Sequence, residues 1–312
     1  LIDLKKILIY RNSSLGDFIN ASPAIKLIKE LNPDSKIYFA SQKKNTVGFV
    51  TPNLIPIKKK IIDQFLFYEY NFLSILFFLI KIFKIKFDKL YYLNEYKFKS
   101  KEKRDFLLFK LFRIKKMYGF DKGNFDYSKF NETFYLCKIV KNDISKKEIS
   151  YSGIFKKNRF IKKKYITISL GGRNIRKSWN LKYWEFLVNK ITKRFPNLNI
   201  KIVGSTNELY NANIICKINK NKITSICGKT SINLLFKVIN SSSYHISHDD
   251  GTMHVASIFN KPGTAIFGIT SKKGKWYPMN PKLRIFYPNK NINEIKPNFV
   301  FNKIIYDLKN LR

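Results

Sequence analysis

The sequence predicts an α/β protein made of two doubly wound domains, one after the other. Three observations lead there. Short β-rich runs alternate with amphipathic helical runs over residues 5–113, and the alternation restarts at residue 165. The polar glycine turns Gly16-Asp17, Gly171-Gly172, Gly204 and Asp249-Asp250-Gly251 all follow predicted strands. Ligands of doubly wound sheets bind beyond the carboxyl ends of the strands, so these turns predict one cleft between two domains. A chain of 312 residues has room for both.

Residues 5–11 (KKILIYR) read as the first strand and residues 12–17 (NSSLGD) as the turn after it. A helix is expected over residues 18–31, with Ala21, Ile25, Ile28 and Leu31 on one face, and Asn32-Pro33-Asp34 stops it. Residues 36–40 (KIYFA) form the next strand, which completes a parallel βαβ crossover. A short strand is expected over residues 63–68, a helix over 71–85, a strand over 87–93 and a second amphipathic helix over 101–113. The run from Phe72 to Ile80 is the most apolar of the chain; it is too short to span a bilayer and is expected to be a core helix. Periodicity fails over residues 121–159, where loops and a linker are expected, so the domains divide as 1–160 and 161–312. The second domain is predicted to hold strands at 165–170, 198–203, 244–247 and 264–267. Its helices fall at 180–195, at 231–240 with Ser231 as cap, and at 302–311, the last placed to pack back on the first domain.

Hydrophobic residues make up 45% of the chain, enough for sizeable cores. Lys and Arg number 60 against 21 Asp and Glu, a formal net charge of +39. Two readings of that charge stand side by side. It favours anionic partners, whether nucleic acid, an acidic membrane surface or phosphorylated substrates. Alternatively, the joint enrichment in Lys, Asn, Ile, Phe and Tyr reflects an A+T-rich coding bias, since the lysines are spread along the chain. No RNA- or DNA-binding motif accompanies the charge, so no specific nucleic-acid partner is expected. Cys137, Cys216 and Cys227 stand far apart without CxxC spacing, and no secretory signal is visible. A reducing, cytoplasmic setting follows.

The stretch from His245 to Ala256 (HISHDDGTMHVA) reads as a buried strand, a sharp turn at Gly251 and a helix with His254 in its first turn. The outward N–H groups of such a helix start suit an anionic or hydroxyl-rich ligand. Gly171-Gly172-Arg173-Asn174-Ile175-Arg176-Lys177 is a second such junction. Two glycines let a ligand approach the backbone, and the cations suit a diphosphate, with Lys177 as point charge. Asp17 reads either as a helix cap or as a general base facing the cleft. Glu208 either binds a ribose hydroxyl or caps a helix. His245 and His248, three apart on a strand, face opposite sides, which argues against a metal site with Asp249; His254 is expected to donate to a ligand phosphate. Neither GxxxxGK[ST] nor GxGxxG is present, so no nicotinamide or P-loop chemistry, and no cofactor, is expected.

Three stretches together resemble glycosyltransferase family 9, the ADP-heptose:lipopolysaccharide heptosyltransferases. They are Arg11 to Asp17 with Pro23 and Leu27 to Pro33; Lys177-Ser178-Trp179 with its aromatic-rich helix; and Cys227 to Ser231 followed by Asp249 to Ala256 and by Pro262 to Thr270. The resemblance covers residues 1–40 and 165–280. It implies a GT-B fold, two Rossmann-like domains facing across a cleft, with the acceptor on the N-terminal side and the nucleotide sugar on the C-terminal side. It also implies inverting, metal-independent transfer, with ADP-heptose the family's best-known donor. The leading reading is transfer of a heptose to lipopolysaccharide inner core at the inner face of the cytoplasmic membrane, where the basic, aromatic surface makes peripheral contact with anionic lipid. Carried over by position, Asp17 is the base and Lys177 stabilises the leaving diphosphate. Gly171, Gly172, Arg173, Asp249, Gly251, Thr252 and His254 line the donor, and Glu208 holds the ribose. Asp250 stands where the family usually has Ser or Thr. A second carboxylate beside a diphosphate is unfavourable unless it points away or meets Arg173 or Arg176. Competing readings are a same-family transferase with another donor or a glycan or protein acceptor, a basic nucleic-acid-binding protein, and an inactive relative.

Overall fold

The computed structural model describes residues 4–94, 99–120, 130–156, 165–171, 177–270 and 272–309. The chain forms two compact units, Leu1–Asn45 with Phe49–Lys156, and Thr46–Gly48 with Lys157–Arg312.

In the first unit the elements run β1 (Lys6–Tyr10), α1 (Leu15–Glu30), β2 (Lys36–Gln42), β3 (Gln64–Tyr68), α2 (Phe72–Ile85), β4 (Lys89–Tyr92), α3 (Lys99–Leu111), β5 (Lys116–Tyr118) and α4 (Glu132–Val140). The sheet is parallel with order β3-β2-β1-β4-β5, Leu8 lying between Tyr38 and Leu90. Ile7, Leu8 and Ile9 are all fully buried, which is why β1 reads as a continuous apolar run rather than an alternating one. Pro23 sits inside α1 and cannot donate to the carbonyl of Ile19; the Ser22 hydroxyl donates to that carbonyl instead, at 2.8 Å.

Three expectations need correction here. α1 starts at Leu15 with Ser14 as its N-cap, so Gly16 and Asp17 belong to the first helical turn, not to the loop before it. α4 occupies ground expected to be loop: Asn131 accepts from the N–H groups of Thr133 and Phe134, and Thr133 to Cys137 are buried. A short helix apolar on every side shows no stripe of period 3.6, and its signal is lost. α2 is not a core helix. It fully buries only Phe78 and Ile82, and leaves Phe72, Leu73, Leu76, Phe77, Ile80 and Phe83 exposed.

The second unit runs β6 (Tyr165–Ser169), α5 (Leu181–Arg194), β7 (Asn199–Val203), α6 (Leu209–Cys216), β8 (Ile223–Ser225), α7 (Ile232–Ser241), β9 (Tyr244–His248), α8 (Gly251–Ile258), β10 (Gly263–Ile266), β11 (Leu283–Phe286) and α9 (Pro297–Lys309). Its sheet is parallel with order β11-β10-β9-β6-β7-β8. Ser231 caps α7, accepting from Leu234 N–H at 3.2 Å. α9 packs on α5, and its Val300, Phe301, Ile304 and Leu308 join this unit's core. Besides α4, the elements not anticipated, β5, α6, β8 and β11, are short. Among the described residues no helix is long and apolar enough to cross a membrane.

Candidate active site

In both sheets the chain winds outward from the first strand to one side and then returns to its other side. The order reverses between β1 and β4 in the first unit and between β6 and β9 in the second. Loops leaving such a pair of strands diverge to opposite faces and open a crevice at their carboxyl ends. The two most polar motifs of the sequence lie at these places.

In the second unit, Lys177 Nζ lies 2.7 Å from Asp249 Oδ2, just beyond β9. The lysine side chain is 27% exposed and the carboxylate 7%, so a charge held from below by a buried acid faces outward. His248 fixes the loop that carries it. Its Nε2 accepts the N–H of Trp179 at 3.0 Å, so Nδ1 bears the proton and donates to the carbonyl of Gly171 at 2.9 Å. Both ends of the basic loop are thus tied to one imidazole, which also makes a T-shaped contact with the Trp184 ring at 5.2 Å between centroids. Burial pushes the His248 pKa down to about 4, which keeps the ring neutral, as this pair of bonds requires. Gly172, Arg173 and Arg176 lie outside the described residues.

Asp250, the family departure, turns toward its own helix. It accepts from the N–H groups of Thr252 and Met253 at 2.7 and 3.2 Å, from the Thr252 hydroxyl at 2.7 Å and from the Ser169 hydroxyl at 2.7 Å. Burial nevertheless raises its pKa to about 6. Gly251 is accordingly the first residue of α8 rather than a turn before it, and the N–H groups of Thr252 and Met253 serve a side chain of the protein rather than pointing outward. The Thr252 hydroxyl donates to Asp250, so it accepts from His245 Nε2 at 3.0 Å, and His245 Nδ1 faces Thr167 Oγ1 at 2.9 Å. Burial lowers the His245 pKa to about 3. Thr252 and His254 are 8% and 4% exposed.

Glu208 reaches back to Ser205, accepting from its N–H and its hydroxyl, each at 2.6 Å. The carboxylate fills the space above Gly171, where an added Cβ would lie 2.6 Å from Glu208 Oε1. Of the two readings of this residue, capping is the one present here, and the small size of Gly171 accommodates Glu208.

In the first unit the loop after β1 is held from β2, from β3 and from Asn94, just past the end of β4. Asn12 N–H donates to Asn94 Oδ1 at 2.7 Å, and Asn12 Oδ1 accepts from Gln42 N–H and the Tyr68 hydroxyl, each at 3.0 Å. Ser13 N–H donates to Ser41 Oγ at 3.0 Å. Arg11 forms a buried ion pair with Glu132 of α4 at 2.8 Å and also donates to the Leu93 carbonyl. Asp17, half-buried, accepts from Ser14 N–H at 3.2 Å. Asp17 is thus not the N-cap, which is Ser14, but its N3 partner in a capping box, and this one bond does not consume the carboxylate's remaining lone pairs. The sequence reading missed two supports: His248 as the anchor of the lysine loop and Glu132 as partner of Arg11. A histidine directly before Asp-Asp at a strand end was the available signal for the first; the second pairs residues 121 positions apart and had none.

Two parallel sheets of this winding, each with its polar loop at the reversal point, are the sheet arrangement of the GT-B fold. The sequence comparison agrees: a model described as glycosyltransferase family 9 (heptosyltransferase) matches residues 111–304. The chain belongs to glycosyltransferase family 9. It is 26% identical over 297 residues to lipooligosaccharide heptosyltransferase 2 of Campylobacter jejuni, covering 89% of this chain and 86% of that one. Among solved structures, the family 9 glycosyl transferase of Veillonella parvula superposes with a TM-score of 0.73 at 16% identity, covering 99% and 98% of the two chains. The E. coli ADP-heptose lps heptosyltransferase II superposes with a TM-score of 0.71 at 14% identity, covering 98% and 99%.

Proposed function

We propose that this glycosyltransferase moves a heptose from ADP-heptose to the inner core of a lipopolysaccharide, with inversion and without a metal ion. The observation that carries the reading is the Lys177–Asp249 pair at the reversal point of the second sheet. The donor and acceptor classes are those of its relatives, a lipooligosaccharide heptosyltransferase and an ADP-heptose lps heptosyltransferase. In this reaction Asp17 takes the proton of the acceptor hydroxyl as its oxygen bonds to the anomeric carbon. The bond from that carbon to the diphosphate breaks, and the electron pair leaves with ADP. Negative charge grows on the departing phosphate, and Lys177, held in place by Asp249 and by the His248-anchored loop, meets it. Gly171, Gly172, Arg173, Gly251, Thr252 and His254 form the wider donor-side set, and Glu208, engaged with Ser205, shapes it from beside Gly171. Asp250, turned into the start of α8, leaves the diphosphate to the lysine.

A thermal-shift or calorimetric titration with ADP, UDP, GDP and ADP-heptose, at moderate salt and with EDTA, tests this. Selective binding of the adenine compounds in EDTA is expected. Preference for UDP or GDP would discard the donor and keep the reaction class. Equal weak binding of all four, fading with salt, would mean that only the +39 charge was at work.

A further inference from the structure

The exposed side of α2 has no counterpart in the transfer chemistry. A helix apolar on every side is normally buried on every side. At 3.6 residues per turn, Phe72, Leu73, Leu76, Phe77, Ile80 and Phe83 fall within an arc of about 140°, while Phe78 and Ile82 point to the core. Phe72 is 78% exposed and Phe77 67%. The patch continues onto the end of α3: the rings of Phe83 and Phe112 are 6.3 Å apart, and Leu111 is 74% exposed. Around it the charge has one sign. Lys81, Lys84, Lys86, Lys110, Arg113 and Lys115 are exposed, and neither residues 70–87 nor residues 106–120 contain an Asp or Glu. Between α2 and β3 an open pocket of about 390 Å³, lined by Leu66, Phe67, Ser74, Phe77, Phe78 and Lys81, adds apolar surface beside an ammonium.

We infer that α2, with the end of α3, seats the protein on an anionic phospholipid surface. The apolar arc enters the boundary between headgroups and acyl chains, and the lysines meet lipid phosphates. The 14-residue helix is about 21 Å long, too short to cross a bilayer and suited to lying along one. Charge selects the occupant. A second copy of the chain on this face would bring two sets of lysines together, whereas anionic headgroups neutralise them. The contact gains its purpose from the transferase reading, because a lipid-borne acceptor lies at such a surface, but its measurement does not depend on that reading.

The test is sedimentation of the full chain with vesicles of phosphatidylglycerol and phosphatidylcholine, against vesicles of phosphatidylcholine alone. The variants are Leu73→Ser/Phe77→Ser/Phe83→Ser and Lys81→Glu/Lys84→Glu; all five side chains are exposed, so the folded state tolerates them. Wild type is expected to bind the anionic vesicles and not the neutral ones. Each variant is expected to lose ~10-fold or more in partitioning at physiological salt, with melting temperature and ADP affinity unchanged. Retention of wild-type partitioning by the serine variant would overturn the proposal in favour of diffuse charge. Absence of vesicle binding together with a wild-type dimer that the serine variant dissociates would overturn it in favour of self-association. Vesicle binding without ADP binding would leave this surface standing and remove the donor reading instead.

Discussion

His248 and Trp179 are joined by a hydrogen bond from the tryptophan's backbone N–H to the imidazole Nε2, at 3.0 Å. Because the same ring donates to Gly171, one neutral histidine closes both ends of the loop that presents Lys177. Changing His248 to Ala leaves the buried N–H of Trp179 without its partner, at about 1–3 kcal/mol, and frees the part-buried Gly171 carbonyl at a smaller cost. A fall in unfolding free energy of that size in urea is expected, together with weaker ADP binding.

The pH dependence of stability follows from the same rings. The His248 and His245 pKa values in the folded state, about 4 and about 3, lie below the ordinary 6.5. Their contribution is therefore fully present above pH 6.5 and is lost as pH falls through that value toward the folded-state pKa values. Asp250 acts in the opposite sense: its pKa, raised to about 6 from 3.8, makes the fold lose stability as pH rises between those values. Two rings outweigh one carboxyl, so these groups give a net loss on acidification from pH 6.5 to 4. Asp250→Asn removes the opposing group, and urea titrations across this range should show a steeper acid loss in the variant.

Removing the Lys177 charge tests the donor side. Lys177→Ala is expected to weaken ADP binding and to lower kcat by ~10²–10³, the loss typical of one fixed charge-stabilising donor. Asp249→Asn keeps the ammonium but loosens it, so its loss should be smaller than that of Lys177→Ala in both quantities.

The acceptor side separates from it. Asp17→Asn preserves an oxygen that can accept from Ser14 N–H, so the melting temperature should hold. Turnover should fall by ~10²–10⁴, the worth of a general base, with ADP affinity unchanged. A drop in ADP affinity would place Asp17 on the donor side and contradict its assigned role.

Gly171 and Glu208 form a steric pair. An alanine Cβ at residue 171 would meet Glu208 Oε1 at 2.6 Å and its Cδ and Cγ at 2.9 Å. Gly171→Ala should cost about 1–3 kcal/mol. Adding Glu208→Ala should recover part of that, an interaction that a double-mutant cycle by thermal denaturation measures.

Much of this molecule is determined by its sequence alone. The alternation of strand and helix, the parallel winding and the placing of polar loops at strand ends are local in period or spacing, and motifs such as Lys177-Ser178-Trp179 and Asp249-Asp250-Gly251 carry the family with them. Tertiary structure decided the rest, because it depends on which groups arrive from distant parts of the chain. Whether Asp250 faced a ligand or its own helix rested on Ser169 reaching it from β6, 81 residues away. Whether Glu208 was available to a ribose rested on Ser205 and on the space over Gly171. α2 is the clearest case: an apolar helix announces that it will leave water, but only the packing around it shows that Phe78 and Ile82 meet the core while Phe72 and Phe77 do not.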